Sequence, residues 1–148
     1  MLLAGFDGGQ TSTRCRLSLW GDGRWDLRGE GRGPGVTHLE APDGEQRFRA
    51  AIRISLAEAS RGLGDVHATA AVIGASGIEQ GTPVQQRASA LLSEELRLDG
   101  ARSFATGDER TALRGAFPEG AGIVLISGTG MICLGRNEQG SEHRCGGW

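Results

Sequence analysis

The sequence lacks any apolar run long enough to cross a bilayer. No run exceeds four residues, as in Ile123 to Ile126 with its small neighbours, whereas a membrane-spanning helix needs about 20. The first residues, Met1 to Ala4, carry neither a charged segment nor a full apolar segment, so we expect no signal peptide. The sequence therefore predicts a protein without a membrane partner.

Cysteine is also scarce, and its spacing excludes two kinds of site. The three cysteines are Cys15, Cys133 and Cys145. An odd number at wide spacing is not a disulfide framework, and no C-x-x-C pair suggests zinc. We expect each cysteine to be a small buried apolar residue in a protein of the reducing cytoplasm.

No charge of one sign is in excess. The chain has 16 basic residues, all arginine, against 18 acidic ones, and its formal net charge is −2. The arginines are scattered, so there is no electrostatic case for binding nucleic acid or an anionic membrane. With 148 residues and 38% hydrophobic content, the chain has room for one globular domain plus a piece of another.

Glycine is abundant, and its distribution indicates sharp turns. The 26 glycines cluster between apolar segments, where they favour tight backbone turns and close approach to a ligand. Apolar periodicity predicts the order β-β-β-α-β-α-β-α, which is a mixed α/β sheet with an antiparallel meander followed by crossover units. The predicted strands cover 2–6, 14–19, 24–29, 66–74 and 103–106, with a loop at 30–37; the predicted helices cover 43–59, capped by Asp43, 82–96, with Pro83 at its first position, and 108–117.

After Pro118 the pattern starts again. Two apolar strands, 122–126 and 131–134, flank a Gly/Thr turn, as at the start of the chain. This repetition suggests a duplicated domain, with domain 1 at 1–118 and only the beginning of the second copy at 119–148. We therefore expect these 148 residues alone to be inactive.

The first turn carries the residues for a phosphate site. Asp7 ends the first strand and is followed by Gly8, Gly9, Gln10 and Thr11. Glycines let backbone N–H groups approach an anion closely, and a nearby carboxylate can hold Mg²⁺ through water. Neither a Walker A pattern nor G-x-G-x-x-G occurs in the chain. A hairpin with solvated polar residues is the alternative interpretation.

A second turn has the same composition without the acid. Ser127, Gly128, Thr129 and Gly130 lie between two apolar strands. Two such turns in a duplicated frame can hold a polyphosphate from both sides.

Asp108 follows a short strand and opens a helix. It is therefore either a helix N-cap or a strand-end carboxylate that accepts the proton of a substrate hydroxyl. One carboxylate can serve both roles, because one oxygen can cap the helix while the other faces the substrate.

These motifs resemble those of a known family. The segment 5–13 is similar to the first phosphate motif of the N-acetylglucosamine kinase and BadF-BadG-BcrA-BcrD ATPase family, and 122–130 with 145–148 is similar to the second. The resemblance covers the front half of such a protein. It implies the ribonuclease-H-like, actin-like ATPase fold and the use of ATP and Mg²⁺.

The resemblance also implies roles for individual residues. Asp7 would position Mg²⁺, and Asp108 would act as general base on the sugar hydroxyl. The phosphates would be held by Gly8, Gly9, Gln10, Thr11, Gly128, Thr129 and Gly130, and the sugar would lie against Ser76, Thr129, Gly147 and Trp148.

Two positions depart from the family pattern. Gly107 stands where an asparagine usually precedes the catalytic aspartate, and the segment 33–38 has no asparagine to contact sugar hydroxyls. Thr37 or His38 could take that role, while His67 and His143 are expected to be structural or solvated.

The favoured hypothesis is a sugar kinase that transfers phosphate to the 6-OH of N-acetylglucosamine, glucosamine or a related hexose. An ATPase that activates a partner enzyme and a non-catalytic sugar-sensing domain are the alternatives. The expected partner is a small sugar, and the chain could form a homodimer.

Overall fold

The computed structural model describes residues 1–128 and 130–147. They form two compact units, Met1–Gly107 and Asp108–Trp148. The helix that follows Gly107 packs within the second unit. The domain boundary near Pro118 stays a prediction.

The first unit has a five-stranded sheet in the order β3-β2-β1-β4-β5. The strands are β1 (Leu2–Gly8), β2 (Ser12–Gly21), β3 (Arg24–Pro34), β4 (Ala70–Ala75) and β5 (Ser103–Thr106); the helices are α1 (Gly44–Ala59) and α2 (Pro83–Leu96), with a 3₁₀ turn at Gly100–Arg102. β1 pairs antiparallel with β2 and parallel with β4. The predicted order of elements is confirmed, and only the 3₁₀ turn is additional.

The core of this unit lies between one face of the sheet and both helices. Alternate residues of the strands point to that face because the side-chain period of a strand is two. The buried strand residues include Ala4, Phe6, Cys15, Leu17, Ile73 and Ala105, and they pack with Phe48 and Ile52 of α1 and Leu91 and Leu92 of α2. Burial raises the pKa of the Cys15 thiol to about 12, so this cysteine is an inert core residue, as predicted.

The third strand is longer than the sequence predicts. β3 continues to Pro34, so the loop predicted at 30–37 is wrong for its first residues. Gly29, Gly31 and Gly33 face α1 so closely that a methyl group on Gly31 would overlap the backbone of Ser55 and Ala59. The helix backbone therefore lies directly on the strand, which requires a residue without a side chain at these positions.

Two other local predictions differ from the structure. Asp43 precedes α1 but its side chain makes no capping hydrogen bond, and its carboxylate lies 3.6 Å from the Arg47 guanidinium instead. The fourth strand begins at Ala70 rather than at Val66, which packs against the core from outside the strand. The start of α2 is as predicted, since Thr82 accepts a hydrogen bond from the backbone of Gln85 at 3.2 Å.

The second unit contains α3 (Asp108–Ala116) and the antiparallel strands β6 (Gly122–Ser127), β7 (Met131–Arg136) and β8 (Glu142–Gly146). The sequence predicts β6 and β7 but misses β8. The residues of β8 are mostly charged or polar and lack the apolar pattern by which a strand is recognised. Cys133 stands opposite Cys145 across β7 and β8. Cys145 is exposed, so its predicted burial is wrong.

Within residues 1–128 and 130–147, no helix has the length and apolar character that a membrane crossing needs.

Candidate active site

Three chain segments meet at the carboxyl end of β1. The turn after β1 is closed by the Gly9 N–H, which donates to the Ser12 carbonyl at 3.0 Å. The segment after β3 joins this turn through the Val36 N–H and the Gly9 carbonyl at 3.0 Å, and the segment after β4 joins it through the Ser76 N–H and the Gly8 carbonyl at 3.4 Å. Residues distant in sequence are therefore tied to the first predicted phosphate turn.

Glycines permit this convergence at two points. A side chain on Gly35 would overlap the backbone of Gln10, so the segment after β3 can approach the turn only with glycine there. Gly77 has a φ of +83°, and a methyl group on it would lie 2.8 Å from the His38 Nδ1 atom. The imidazole ring of His38 thus occupies the space that a side chain at residue 77 would fill.

The convergence leaves a cavity of about 300 Å³. It is lined by Gln10, Val36, Thr37, His38, Arg47 and Ser76. Four of these, Gln10, Thr37, His38 and Ser76, are site residues that the sequence predicts. Arg47 was missed, because a single arginine in the first turn of a helix looks like any solvated residue until the loops are placed around it.

Gln85 is a second residue that the sequence did not reveal. Its side chain is buried, with 7% exposure. Its Oε1 accepts a hydrogen bond from the Gly81 N–H at 2.7 Å, and its Nε2 donates to the Ala105 carbonyl at 3.0 Å. Gln85 therefore connects the loop after Ser76 to the end of β5. Its helical spacing to the apolar residues Ala88 and Leu92, which puts it on the buried face of α2, was the only signal available in the sequence.

Asp7 is the predicted magnesium ligand. Its side chain is exposed at the end of β1, beside the first turn. No group of three or more potential ligands clusters among the residues that the structure describes. Mg²⁺ in phosphate sites usually takes one or two carboxylates and fills its other positions with water and phosphate oxygens, so a single aspartate at this turn is a suitable donor set.

The second predicted phosphate turn lies beside the glycine tail of β8. The Gly128 N–H donates to the Gly130 carbonyl at 2.8 Å, and the Gly147 N–H donates to the Met131 carbonyl at 2.8 Å. Gly146 and Gly147 both have φ near the left-handed region, at +81° and +80°. The chain thus returns to the start of β7, next to the turn. Thr129 and Trp148, the other predicted residues here, lie outside the described residues.

Asp108 opens α3 and touches a buried acid. Its Oδ1 accepts a hydrogen bond from the Glu109 N–H at 3.1 Å. An N-cap side chain bonds to the second or third amide of a helix, so this contact with the adjacent amide leaves the predicted capping role a prediction. The Glu109 side chain is buried, and this burial, together with the Asp108 carboxylate beside it, raises the pKa of Glu109. Glu109 was not predicted, because its burial depends on how α3 packs in the second unit.

Replacing Glu109 tests this electrostatic arrangement. The folded protein holds the Glu109 proton more tightly than the unfolded chain, so stability falls as pH rises from the ordinary carboxyl range through the raised pKa. Glu109→Gln should therefore raise the free energy of unfolding at pH 7, by an amount that shrinks towards pH 4. Urea titrations at several pH values measure this difference. Glu119→Gln, at an exposed residue, is the control and should leave the free energy of unfolding unchanged at every pH. If Glu109→Gln were less stable than the wild type at pH 7, the attraction between Glu109 and Arg144 would outweigh the cost of burying the charge.

Comparison with known proteins identifies similar chains. No protein-family model matches. The N-acetylmuramic acid/N-acetylglucosamine kinase of Clostridium acetobutylicum is 51% identical over 41 residues, which are 28% of this chain and 13% of the relative. A Chromobacterium violaceum protein named as an N-acetylglucosamine kinase has a TM-score of 0.68 at 28% identity, over 99% of this chain and 49% of its own.

A second solved structure shares the fold at lower sequence identity. The ROK hexokinase of Thermus thermophilus has a TM-score of 0.60 at 20% identity, over 97% of this chain and 49% of its own. The chain spans about half the length of these two solved relatives. The predicted fold class and the resemblance are confirmed: the chain has the actin-like ATPase fold that sugar kinases share, and it resembles about half of an N-acetylglucosamine kinase.

Proposed function

We propose that this chain is part of an ATP-dependent sugar kinase that phosphorylates the 6-OH of N-acetylglucosamine, glucosamine or a related hexose. The observation that supports this most directly is the cavity beside the first phosphate turn. It brings Thr37, His38 and Ser76, three residues expected at a sugar, next to Gln10 of that turn. The kinase names of the similar proteins agree with this proposal.

Each predicted residue has a role in this reaction. The sugar oxygen forms a bond to the γ-phosphorus, the bond from that phosphorus to the bridging oxygen breaks, and ADP leaves with the bonding electrons. Asp108 accepts the hydroxyl proton. Asp7 would hold Mg²⁺, which neutralises charge on the phosphate oxygens when bound. The amides of the two glycine turns would bind the phosphates.

Thr37 and His38 would replace the asparagine that related kinases carry at the sugar. Their side chains line the cavity, and both can donate and accept hydrogen bonds with hydroxyl groups. Gln85 would fix the position of the loop between Ser76 and α2 relative to β5, because its side chain hydrogen-bonds to the backbone of both. A protein that consumes ATP and a small sugar would work in the cytoplasm.

A coupled assay of ADP release by the full-length protein, over a panel of hexoses and amino sugars, tests this function. We expect ATP turnover that depends on an amino sugar. Asp7→Asn should reduce that turnover by about 10-fold or more while sugar affinity, measured by calorimetry, stays nearly unchanged. Hydrolysis that is independent of sugar would support the activator ATPase, and sugar binding without turnover would support the sensor.

A further inference from the structure

The helix that carries Asp108 has little apolar anchoring. A helix on the surface of a domain is usually fixed by a stripe of apolar side chains on its inner side. Within α3, every residue of which the structure describes, Leu113 is the one buried apolar side chain, and the other buried side chain is that of Glu109. A single apolar contact can hold a helix near a sheet, but it does not fix the direction of the helix. Polar contacts must therefore set where Asp108, the first residue of α3, points.

Glu142, the first residue of β8, contacts two arginines of α3. Its Oε2 accepts a hydrogen bond from the Arg110 Nη1, and its Oε1 lies 3.7 Å from the Arg114 Nη2. Arg110 and Arg114 are four residues apart, so they project from the same side of the helix. The Arg110 and Glu142 side chains are only 23% and 18% exposed, so salt and water screen this pair less than a surface pair. Glu142 thus links α3 to β8 at two points.

A second pair of opposite charges links the same two elements. Glu142 and Arg144 are alternate residues of β8, so they lie on the same face of the strand. Burial raises the pKa of Glu109, while the charge of Arg144 acts in the opposite direction, so Arg144 attracts the Glu109 carboxylate. An acid of β8 therefore meets bases of α3, and a base of β8 lies near an acid of α3. A shift of the helix along the strand would bring like charges together, so this pattern favours one alignment of α3.

The C-terminal end of α3 is fixed separately. The buried Arg136 guanidinium donates to the carbonyls of Phe117 and Gly120 at 2.6 and 2.7 Å. The Phe117 N–H in turn donates to the Leu113 carbonyl at 2.8 Å. Arg136 therefore holds the end of the helix that is distant from Asp108. The contacts of Glu142 remain to orient the other end.

We propose that Glu142 is a positioning residue: through Arg110 and Arg114 it sets the orientation of α3, and with it the direction in which the Asp108 carboxylate meets the substrate hydroxyl. This inference rests on the proposed kinase function, in which Asp108 is the general base. A misplacement of about 1 Å at a reacting group can cost about 10²-fold in rate. Loss of the Glu142 contacts should therefore lower turnover rather than sugar affinity.

Glu142→Gln in the full-length protein should lower kcat by about 10-fold or more, while the sugar Kd, measured by calorimetry, stays nearly unchanged. The change keeps the size of the side chain but leaves the mostly buried Arg110 without a counter-charge. Glu142→Asp, which keeps the charge on a shorter side chain, should give an intermediate loss. Glu45→Gln, which breaks the ion pair of Glu45 with Arg87 in the first unit, is the control and should leave kcat unchanged.

A double variant shows whether Glu142 acts through Asp108. If it does, adding Glu142→Gln to Asp108→Asn should lower the residual turnover by less than about 2-fold, because no base is left to orient. A role of Glu142 that is independent of Asp108 would lower turnover by the same factor in both backgrounds.

Normal kcat in Glu142→Gln, or equal losses in the two backgrounds, would refute the positioning role. A loss of sugar affinity with unchanged kcat would also refute it, because Glu142 would then support the glycine tail of β8 instead. Melting temperatures report folding. If Glu142→Gln is unfolded at the assay temperature, Arg110→Gln removes the same ion pair from the side of the helix and should give the same pattern of losses.

Turnover of Asp108→Asn alone separates this inference from the proposed function. A large loss in Asp108→Asn with none in Glu142→Gln would leave the kinase and its base standing and refute the role of Glu142. Wild-type turnover in Asp108→Asn would refute the base and, with it, the positioning role. ATP hydrolysis by the wild type that does not depend on sugar would refute the kinase itself.

Discussion

Asp108→Asn in the full-length protein should lower kcat by about 10²–10⁴-fold, which is the usual contribution of a general base. Asparagine cannot accept the hydroxyl proton, whereas its carbonyl oxygen can still accept the hydrogen bond that Asp108 receives from the Glu109 N–H. The change also removes a negative charge beside buried Glu109. We therefore expect little loss of stability and little change in sugar Kd. Steady-state kinetics and calorimetry with the favoured sugar measure both.

A matched control separates capping from catalysis. Asp99 also accepts a hydrogen bond from the start of a helical turn, through its Oδ1 and the Ala101 N–H at 3.1 Å. Asp99→Asn is the same chemical change at a cap outside the proposed site, so turnover should stay at the wild-type level. Normal folding with normal turnover in Asp108→Asn would refute the proposed base. An early thermal transition in that variant would show that Asp108 is mainly a helix cap.

Gly31→Ala should destabilise the protein by about 3 kcal/mol or more, at the upper end of the cost of overpacking. The added methyl group would meet backbone atoms of Ser55, Glu58 and Ala59. Backbone of a helix cannot rotate away as a side chain can, so α1 would have to move off the sheet. Urea unfolding followed by circular dichroism measures the loss.

Gly21→Ala is the control for the chemical change itself. It lies at the end of β2, and nothing stands within 4 Å of the added atom. Alanine restricts the unfolded chain more than glycine does, so this variant should be as stable as the wild type or slightly more stable. If both variants unfolded at the same urea concentration, the close contact between β3 and α1 would not exist in solution.

The sequence was sufficient for those parts of the fold that local patterns specify. Alternating and helical apolar spacing located the strands and helices of the first unit, and Thr82 with Pro83 marked the start of α2 correctly. The end of β3 was missed because Gly31 and Gly33 look like loop residues to any local rule. They are strand residues because a helix distant in sequence lies on them, which only the tertiary structure reveals.

Some residues of the candidate site could be predicted from local sequence patterns, and others could not. Turns rich in glycine and hydroxyl groups could be recognised from the sequence, and so could the strand-end carboxylates Asp7 and Asp108. Arg47 and Gln85 could not, because what they contact is decided by loops that come from other parts of the chain. The roles assigned to Thr129 and Trp148 stay predictions.

The irregular pairing of β2 with β3 has a consequence for the cavity. Leu17 pairs with Gly29 while Ser18 pairs with Leu27, so Arg28 is one residue extra in β3. That extra residue sets which side chains of β3 turn towards α1; a slip of one position would direct Glu30 and Arg32 into the helix backbone in place of glycine. The close packing of α1 therefore permits only one register of β3. The segment carrying Thr37 and His38 continues directly from β3. The register of β3 therefore also fixes where Thr37 and His38 lie along the first phosphate turn.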